Sequence, residues 1–428
     1  MQKKVAFYTL GCRVNQYETA AMEALFCKAG YEVVPFQAAA DVYVINTCTV
    51  TAESERKCRQ ILRRAKGKNP ASVVAAVGCM AQSSFSVLEA MPEVDVIVGV
   101  AEKSRIVERV SMLQKPAARP TISAATTFEE LSVTNFSSRD RAFVKIQDGC
   151  DRYCSYCIIP YVRGPVRSRD PENVLEEIQK LCDNGFREVV LTGIHVASYG
   201  RGTDTSLGDL IRRVAAIPRI ERIRLSSVDP VAFTEDFLAA VRETPKLCPH
   251  FHISLQSGCD HVLRRMNRRY TTKQFASVLE SLRKINPSVS ITTDIITGFP
   301  GETEADFEET IAFCKAVQLS GIHVFPYSER QGTAAAKMDG VVPKKVREDR
   351  AKQLIAVAAA LRHAYASSFI GTQQTVLPEH GKVASGFTPH FLRVALPEAA
   401  AKDGRLVNVW IESCEGDILY GKCMQEHS

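Results

Sequence analysis

The chain is 428 residues long, room for about three domains at roughly 150 residues each, which excludes a single small module. Apolar residues make up 45% and charged residues 24%, an ordinary globular balance that excludes bulk disorder. Lys and Arg total 54 against 48 for Asp and Glu, and the resulting net charge of +6 is too small to name a partner by itself.

From residue 3 to 111, β-rich runs at 5–9, 42–46, 73–77 and 94–98 alternate with helical patterns at 15–28, 53–66 and 103–110. That alternation predicts an α/β unit with a doubly wound parallel sheet. Residues 115–138 turn to Pro, Ala, Ser and Thr and read as a surface linker. A second series follows, with strands predicted at 143–147, 188–192, 222–226, 251–255, 290–296 and 321–325 between helices. Six such repeats suit a partial (β/α)6 barrel better than a full eight-stranded one. Asp170 before Pro171 marks one helix start, and Thr303 with Asp306 marks another in the manner of a capping box. Beyond 371, β-like runs at 373–377, 391–395, 407–411 and 418–423 predict a small C-terminal β-barrel. The expected units are therefore 1–114, 115–138 as linker, 139–370 and 371–428.

No run of 18 apolar residues is present, so no membrane span is predicted. The N-terminus lacks an apolar core of signal-peptide length, and a cytoplasmic location is expected. In that reducing compartment fourteen cysteines point to metal or catalysis more than to disulfides.

Cys150, Cys154 and Cys157 form a C-x3-C-x2-C loop directly after the first strand of the second series. Three thiolates so spaced can wrap one [4Fe-4S] cube and leave one iron open to a ligand. A zinc knuckle would need a fourth Cys or His nearby, and none lies within twenty residues on either side. Cys12, Cys48 and Cys79 are dispersed, yet each falls just past the end of a predicted strand, and the carboxyl ends of parallel strands share one edge. Convergence at that edge and burial as three small hydrophobes both remain open on spacing alone.

With these residues in place, the chain resembles the radical S-adenosylmethionine methylthiotransferases. The cysteine loop with Tyr156 before its third cysteine carries the superfamily likeness. The stretches Thr9-Leu10-Gly11-Cys12-Arg13-Val14-Asn15, Asn46-Thr47-Cys48 and Val77-Gly78-Cys79 carry that to the methylthiotransferases. The resemblance implies two [4Fe-4S] clusters, one on Cys150, Cys154 and Cys157 that binds and cleaves S-adenosylmethionine, and an auxiliary one on Cys12, Cys48 and Cys79 that presents sulfur. It further implies a cofactor pocket at Tyr156, Thr192, Gly193, Gln256 and Ile296, an RNA-binding TRAM domain at the C-terminus, and a need for a sulfur donor and an electron donor. The segment from Thr192 to Gly200 looks most like the group acting on N6-threonylcarbamoyladenosine at position 37, in the tRNA anticodon stem-loop. His195 is the candidate substrate ligand within it. Sister enzymes acting on isopentenyladenosine in tRNA or on a ribosomal-protein aspartate remain alternatives.

RNA contact is expected from Arg163, Arg167 and Arg169 beside the cysteine loop, since Arg binds phosphate in bidentate fashion. The tail from 371 holds five Lys or Arg against seven Asp or Glu, so its RNA contact must be local, through Lys382, Phe387, Phe391 and Arg393. The non-enzyme rival is a zinc-stabilised RNA-binding protein. A cobalamin-dependent methylase is the enzyme rival, against which no histidine has Asp two residues before it.

Overall fold

The structure, a computed structural model, describes residues 2–113, 122, 127–134, 136, 141–379, 384–401 and 405–424. Strands β1 (Lys4–Thr9), β2 (Glu32–Val34), β3 (Val42–Thr47), β4 (Val73–Gly78) and β5 (Val96–Val98) form one parallel sheet in the order β2-β1-β3-β4-β5. Its central strands are apolar throughout because both faces are covered. Val42 and Val44 pack with Met22 and Phe26 of the helix Arg13–Lys28, and Tyr43 and Ile45 pack with Leu62 and Ala65 of the helix Ala52–Lys68. Thr51 caps that second helix by accepting from the Ser54 amide at 3.1 Å. Glu53 and Glu55 in its first turn and Lys66 and Lys68 in its last complement the helix dipole.

The middle of the chain is an open barrel. β6 (Ala142–Asp148), β8 (Glu188–Gly193) and β9 (Arg222–Leu225) run parallel, with the two-residue β7 (Arg167–Ser168) antiparallel on the outer edge of β6. β10 (His250–His252), β11 (Ser290–Thr297) and β12 (Gly321–Pro326) form a second parallel set. Bridges Ile223 to Leu247 and Val228 to Ile253 join the two sets. Six parallel strands thus curve around one interior, with their helices outside. Asp170 caps the helix Pro171–Asp183 through the Glu172 and Asn173 amides, and Thr303 and Asp306 form the reciprocal cap of Glu304–Ala316, as their spacing predicts.

The long helix Lys344–Ser367 leads to a closed barrel of β13 (Gln373–Glu379), β14 (Ser385–Phe387), β15 (Arg393–Ala395), β17 (Ile418–Cys423) and β16 (Val407–Glu415), in that order around the ring. Sequence patterning misses β2, β7 and β14, all of two or three residues. β14 contains Gly386, where a Cβ would stand 2.4 Å from the Leu377 carbonyl oxygen, so close strand approach and not β propensity selects that residue.

The surface-linker expectation for 115–138 needs correction where that segment is described. Ile122, Leu131, Val133 and Phe136 are buried, and Phe136 stands edge-on to Phe143 and Phe186 with ring centroids 6.2 and 5.9 Å away. Residues 114–121, 123–126, 135 and 137–140 lie outside the described residues. No helix among the described residues is long and apolar enough to cross a membrane.

Candidate active site

β6 delivers the chain to Gly149 and the first cysteine loop. At Gly149 φ is +75° and a Cβ would fall 1.8 Å from the Pro165 carbonyl oxygen, so only glycine permits this turn. The loop is then pinned by its backbone: Cys150 N donates to Gly164 O at 3.0 Å, Cys157 N to Cys154 O at 2.9 Å, and Ser155 N to Met266 O at 3.0 Å. The three thiols sense one another electrostatically, and burial pushes Cys150 up to about 11 and Cys157 up to about 12. Arg268, which no motif in the sequence singles out, donates from Nη1 to Cys154 Sγ at 3.2 Å. It is held there by Asp229 at 3.0 Å and by the face of Tyr270.

Around this loop the strand ends carry the expected cofactor residues. Tyr156 lies edge-on to Phe299, a fully buried ring in the turn after β11. Thr192, next to last in β8, has a buried hydroxyl without a hydrogen-bond partner among the described residues, and Ser226 just beyond β9 is in the same condition. Gly193 abuts Gln147, whose side-chain oxygen would stand 2.9 Å from a Cβ there. Gln256 sits at φ +72°, strained for a non-glycine residue, while its amide donates to Asp294 O and its carbonyl accepts from Ile296 N. Strain of this kind gathers at ligand sites. His195 is nearby but committed: Nδ1 meets Ser198 Oγ at 2.6 Å, and Nε2 faces Arg152 Nε at 3.4 Å and Asp229 at 3.6 Å. With both ring nitrogens engaged, His195 is better placed to orient Arg152 and Asp229 than to hold a substrate.

The dispersed cysteines converge. β1, β3 and β4 are neighbours in the sheet, and Cys12, Cys48 and Cys79 follow their carboxyl ends. A Cβ at Gly11 would touch Cys48 Sγ at 3.1 Å, and Cys12, Cys48 and Cys79 interact electrostatically in every pairing. Cys12 opens onto accessible space, yet the chain encloses it on most sides. That enclosure raises its thiol pKa against the pull of Arg163. Cys48 is pushed up to about 11 by burial. Cys58, in the helix Ala52–Lys68, exchanges hydrogen bonds with the Cys48 backbone at 3.3 and 3.5 Å.

Arg163, Arg167 and Arg169 are not RNA ligands. Each is buried, because the seam between the N-terminal sheet and the open barrel closes over them. Arg163 binds Glu18 at 3.0 Å and Asp148 at 3.1 Å, and its Nε stands 3.4 Å from Cys79 Sγ. Arg167 donates to the Arg163 carbonyl, and Arg169 pairs with Glu177 and Glu130. Glu18 and Asp148 are enclosed by the buried cations Lys103, Lys145, Arg163 and Arg167, and these pairings offset the cost of taking the carboxylates out of water.

These features fit iron–sulfur clusters at both triads. Three thiolates would outweigh the positive charge of a cube they held, and Arg163 at Cys79 and Arg268 at Cys154 would face that negative charge. Among the described residues, the one group of three ligand atoms all within 4.8 Å is Cys259, Asp306 and Glu309, so neither triad is drawn in to the size of a single tetrahedral ion.

The C-terminal aromatic residues also need correction. Phe387 and Phe391 stack at 4.6 Å between centroids, Phe391 stacks on His250 at 4.9 Å, and Arg141 covers both rings. Arg222 and Arg224 donate to the carbonyls of Thr375, Phe387, Thr388 and Pro389. The two rings therefore dock the small barrel onto the open one and are not free for bases. Arg393 remains exposed above Phe387, and Lys382 lies outside the described residues.

Residues 144–314 match the Radical SAM superfamily and residues 4–99 match Uncharacterized protein family UPF0004. The threonylcarbamoyladenosine tRNA methylthiotransferase MtaB of Bacillus subtilis is 40% identical over 95% of this chain and 93% of its own length. The chain belongs to the radical SAM methylthiotransferase family. Another relative, the tRNA-2-methylthio-N(6)-dimethylallyladenosine synthase of Moorella thermoacetica, is 33% identical over 98% of both chains. Among solved structures, the radical S-adenosylmethionine methyltransferase TsrM of Kitasatospora setae, with cobalamin and a [4Fe-4S] cluster bound, covers 76% of this chain and 75% of its own at TM-score 0.57 and 15% identity, a likeness of fold alone. As a methylthiotransferase, the chain uses an iron–sulfur cluster and S-adenosylmethionine, and its closed C-terminal barrel fits a TRAM domain.

Proposed function

We propose that this chain is a tRNA methylthiotransferase that converts C2 of N6-threonylcarbamoyladenosine at position 37 into its 2-methylthio form. The observation that supports the substrate is the identity to MtaB enzymes, 35 to 40% in four of them, against 33 to 36% in four dimethylallyladenosine synthases. Two clusters serve the reaction, one on Cys150, Cys154 and Cys157 and an auxiliary one on Cys12, Cys48 and Cys79. When bound, the first cluster supplies the one-electron cleavage of S-adenosylmethionine that attack on an unactivated adenine C–H requires; the protein's part is to position the reactants.

Arg268 fixes the Cys154 sulfur and Arg163 the Cys79 sulfur. The unpartnered hydroxyls of Thr192 and Ser226, with Gly193, Gln256 and Ile296, are ready to accept S-adenosylmethionine beside Tyr156. The RNA is engaged through its anticodon stem-loop, in the cytoplasm. The units 1–114, 139–370 and 371–428 supply the auxiliary cluster, the radical chemistry and the RNA-binding appendage.

Nucleosides from cells lacking the protein test the substrate. Loss of the 2-methylthio group from threonylcarbamoyladenosine with the isopentenyl counterpart unchanged is expected, and the reverse pattern overturns the assignment. Cys154→Ala in the purified, iron-loaded enzyme is expected to abolish 5′-deoxyadenosine formation while leaving iron at the other triad.

A further inference from the structure

We infer that Tyr153 and Tyr161 form a stacking clamp for unpaired RNA bases at the mouth of the first cysteine loop. The inference rests on the tRNA reading above and deepens it. Tyr153 immediately precedes Cys154, and Tyr161 lies on the short helix Ile159–Arg163 that follows Cys157. Both rings are 50% exposed, and they meet edge to face with centroids 5.5 Å apart.

Two large aromatic side chains left half in water at a catalytic opening are not there for the core. The residues around them are committed inward: Val162 packs against Cys79 and Val100, and Arg163 is buried in the seam. Tyr153 is moreover held at φ +47°, in the left-handed region, and its carbonyl accepts from Asn267 Nδ2 at 2.9 Å. That bond ties Tyr153 to the turn after the helix Asp260–Arg265, itself bent at Asn267 with φ +56°.

Arg264 in the last turn of that helix and Arg269 in the turn after it are both exposed, and neither is in an ion pair among the described residues. Their neighbours differ, since Arg265 is taken by Asp339 and Arg268 by Asp229. Exposed rings at Tyr153 and Tyr161, and exposed cations on the segment that Asn267 ties to Tyr153, match a single-stranded nucleic acid, in which splayed bases stack on aromatic faces while phosphates meet Arg. The bases so held are those flanking the target adenosine, which must leave the loop stack to bring its C2 to the chamber.

The test uses full-length, iron-loaded enzyme and an anticodon stem-loop RNA carrying threonylcarbamoyladenosine at position 37. Wild-type binding of this RNA tests the functional reading itself; if it fails, that reading falls and the clamp with it. With wild-type binding secured, Tyr153→Ala combined with Tyr161→Ala is expected to raise Kd and KM for the RNA at least tenfold, and the paired Phe substitutions to restore them. A double Ala variant that holds full iron and binds within twofold of wild type overturns the clamp. Arg264→Gln with Arg269→Gln, remote from the cysteines in sequence, should flatten the dependence of log Kd on log salt. An unchanged slope overturns the phosphate contact, and equal weakening toward an acidic peptide would assign the surface to a protein substrate instead.

Discussion

At Gly149 the backbone stands at φ +75°, and a methyl group would fall against the Pro165 carbonyl. Gly149→Ala is therefore expected to displace Cys150 and to reduce the iron bound at the first triad, measured by iron content and visible absorption, while the N-terminal triad keeps its share. Arg163 acts on the other side. Removing one member of a buried ion network costs about 3–5 kcal/mol, so Arg163→Met should lower the melting temperature by several degrees. Arg163→Lys should recover only part of the loss, since it keeps the charge but not the Nε donor to Cys79. Much of this was readable from residue types: a C-x3-C-x2-C loop leaves few interpretations, and the glycine before it is the kind of residue a sharp turn demands. Arg163 was misread because a basic residue near a site looks the same in sequence whether it faces solvent or a buried carboxylate 145 residues away.

Among the elements, the docking of β13 to β17 onto the open barrel has a pH dependence. Burial, followed by repulsion from Arg224, lowers His250 well below its ordinary value, and burial with Arg224 and Arg222 lowers His390 to about 4. Both bases are neutral when docked and prefer protonation when exposed. Their contribution is complete above about pH 6.5 and is lost as the pH falls toward the depressed folded values, because the unfolded state then binds more protons. Melting curves from pH 7 to 5 should show a loss on the order of 1–2 kcal/mol at this interface. His390→Gln should flatten that slope; an unaltered slope would assign the pH dependence elsewhere. Helices and long strands were legible here because capping residues and apolar periodicity are local. The docking was not, since Phe387 and Phe391 find Arg141, Arg222, Arg224 and His250 only after the chain has folded back over more than a hundred residues.

For the molecule as a whole, the sequence could place three dispersed cysteines at strand ends, but their meeting depends on the strand order β1-β3-β4, which periodicity does not encode. The likeness to known methylthiotransferases supplied what spacing alone left open. The Arg163 guanidinium ties Glu18 of the helix Arg13–Lys28 to Asp148 of β6, with its Nε against Cys79 Sγ. One side chain therefore rivets two otherwise separate bodies, and slackening it should loosen both at once. In Arg163→Met, amides of β6 and of the helix Arg13–Lys28 should exchange hydrogen faster than in the wild type, together and to a similar degree.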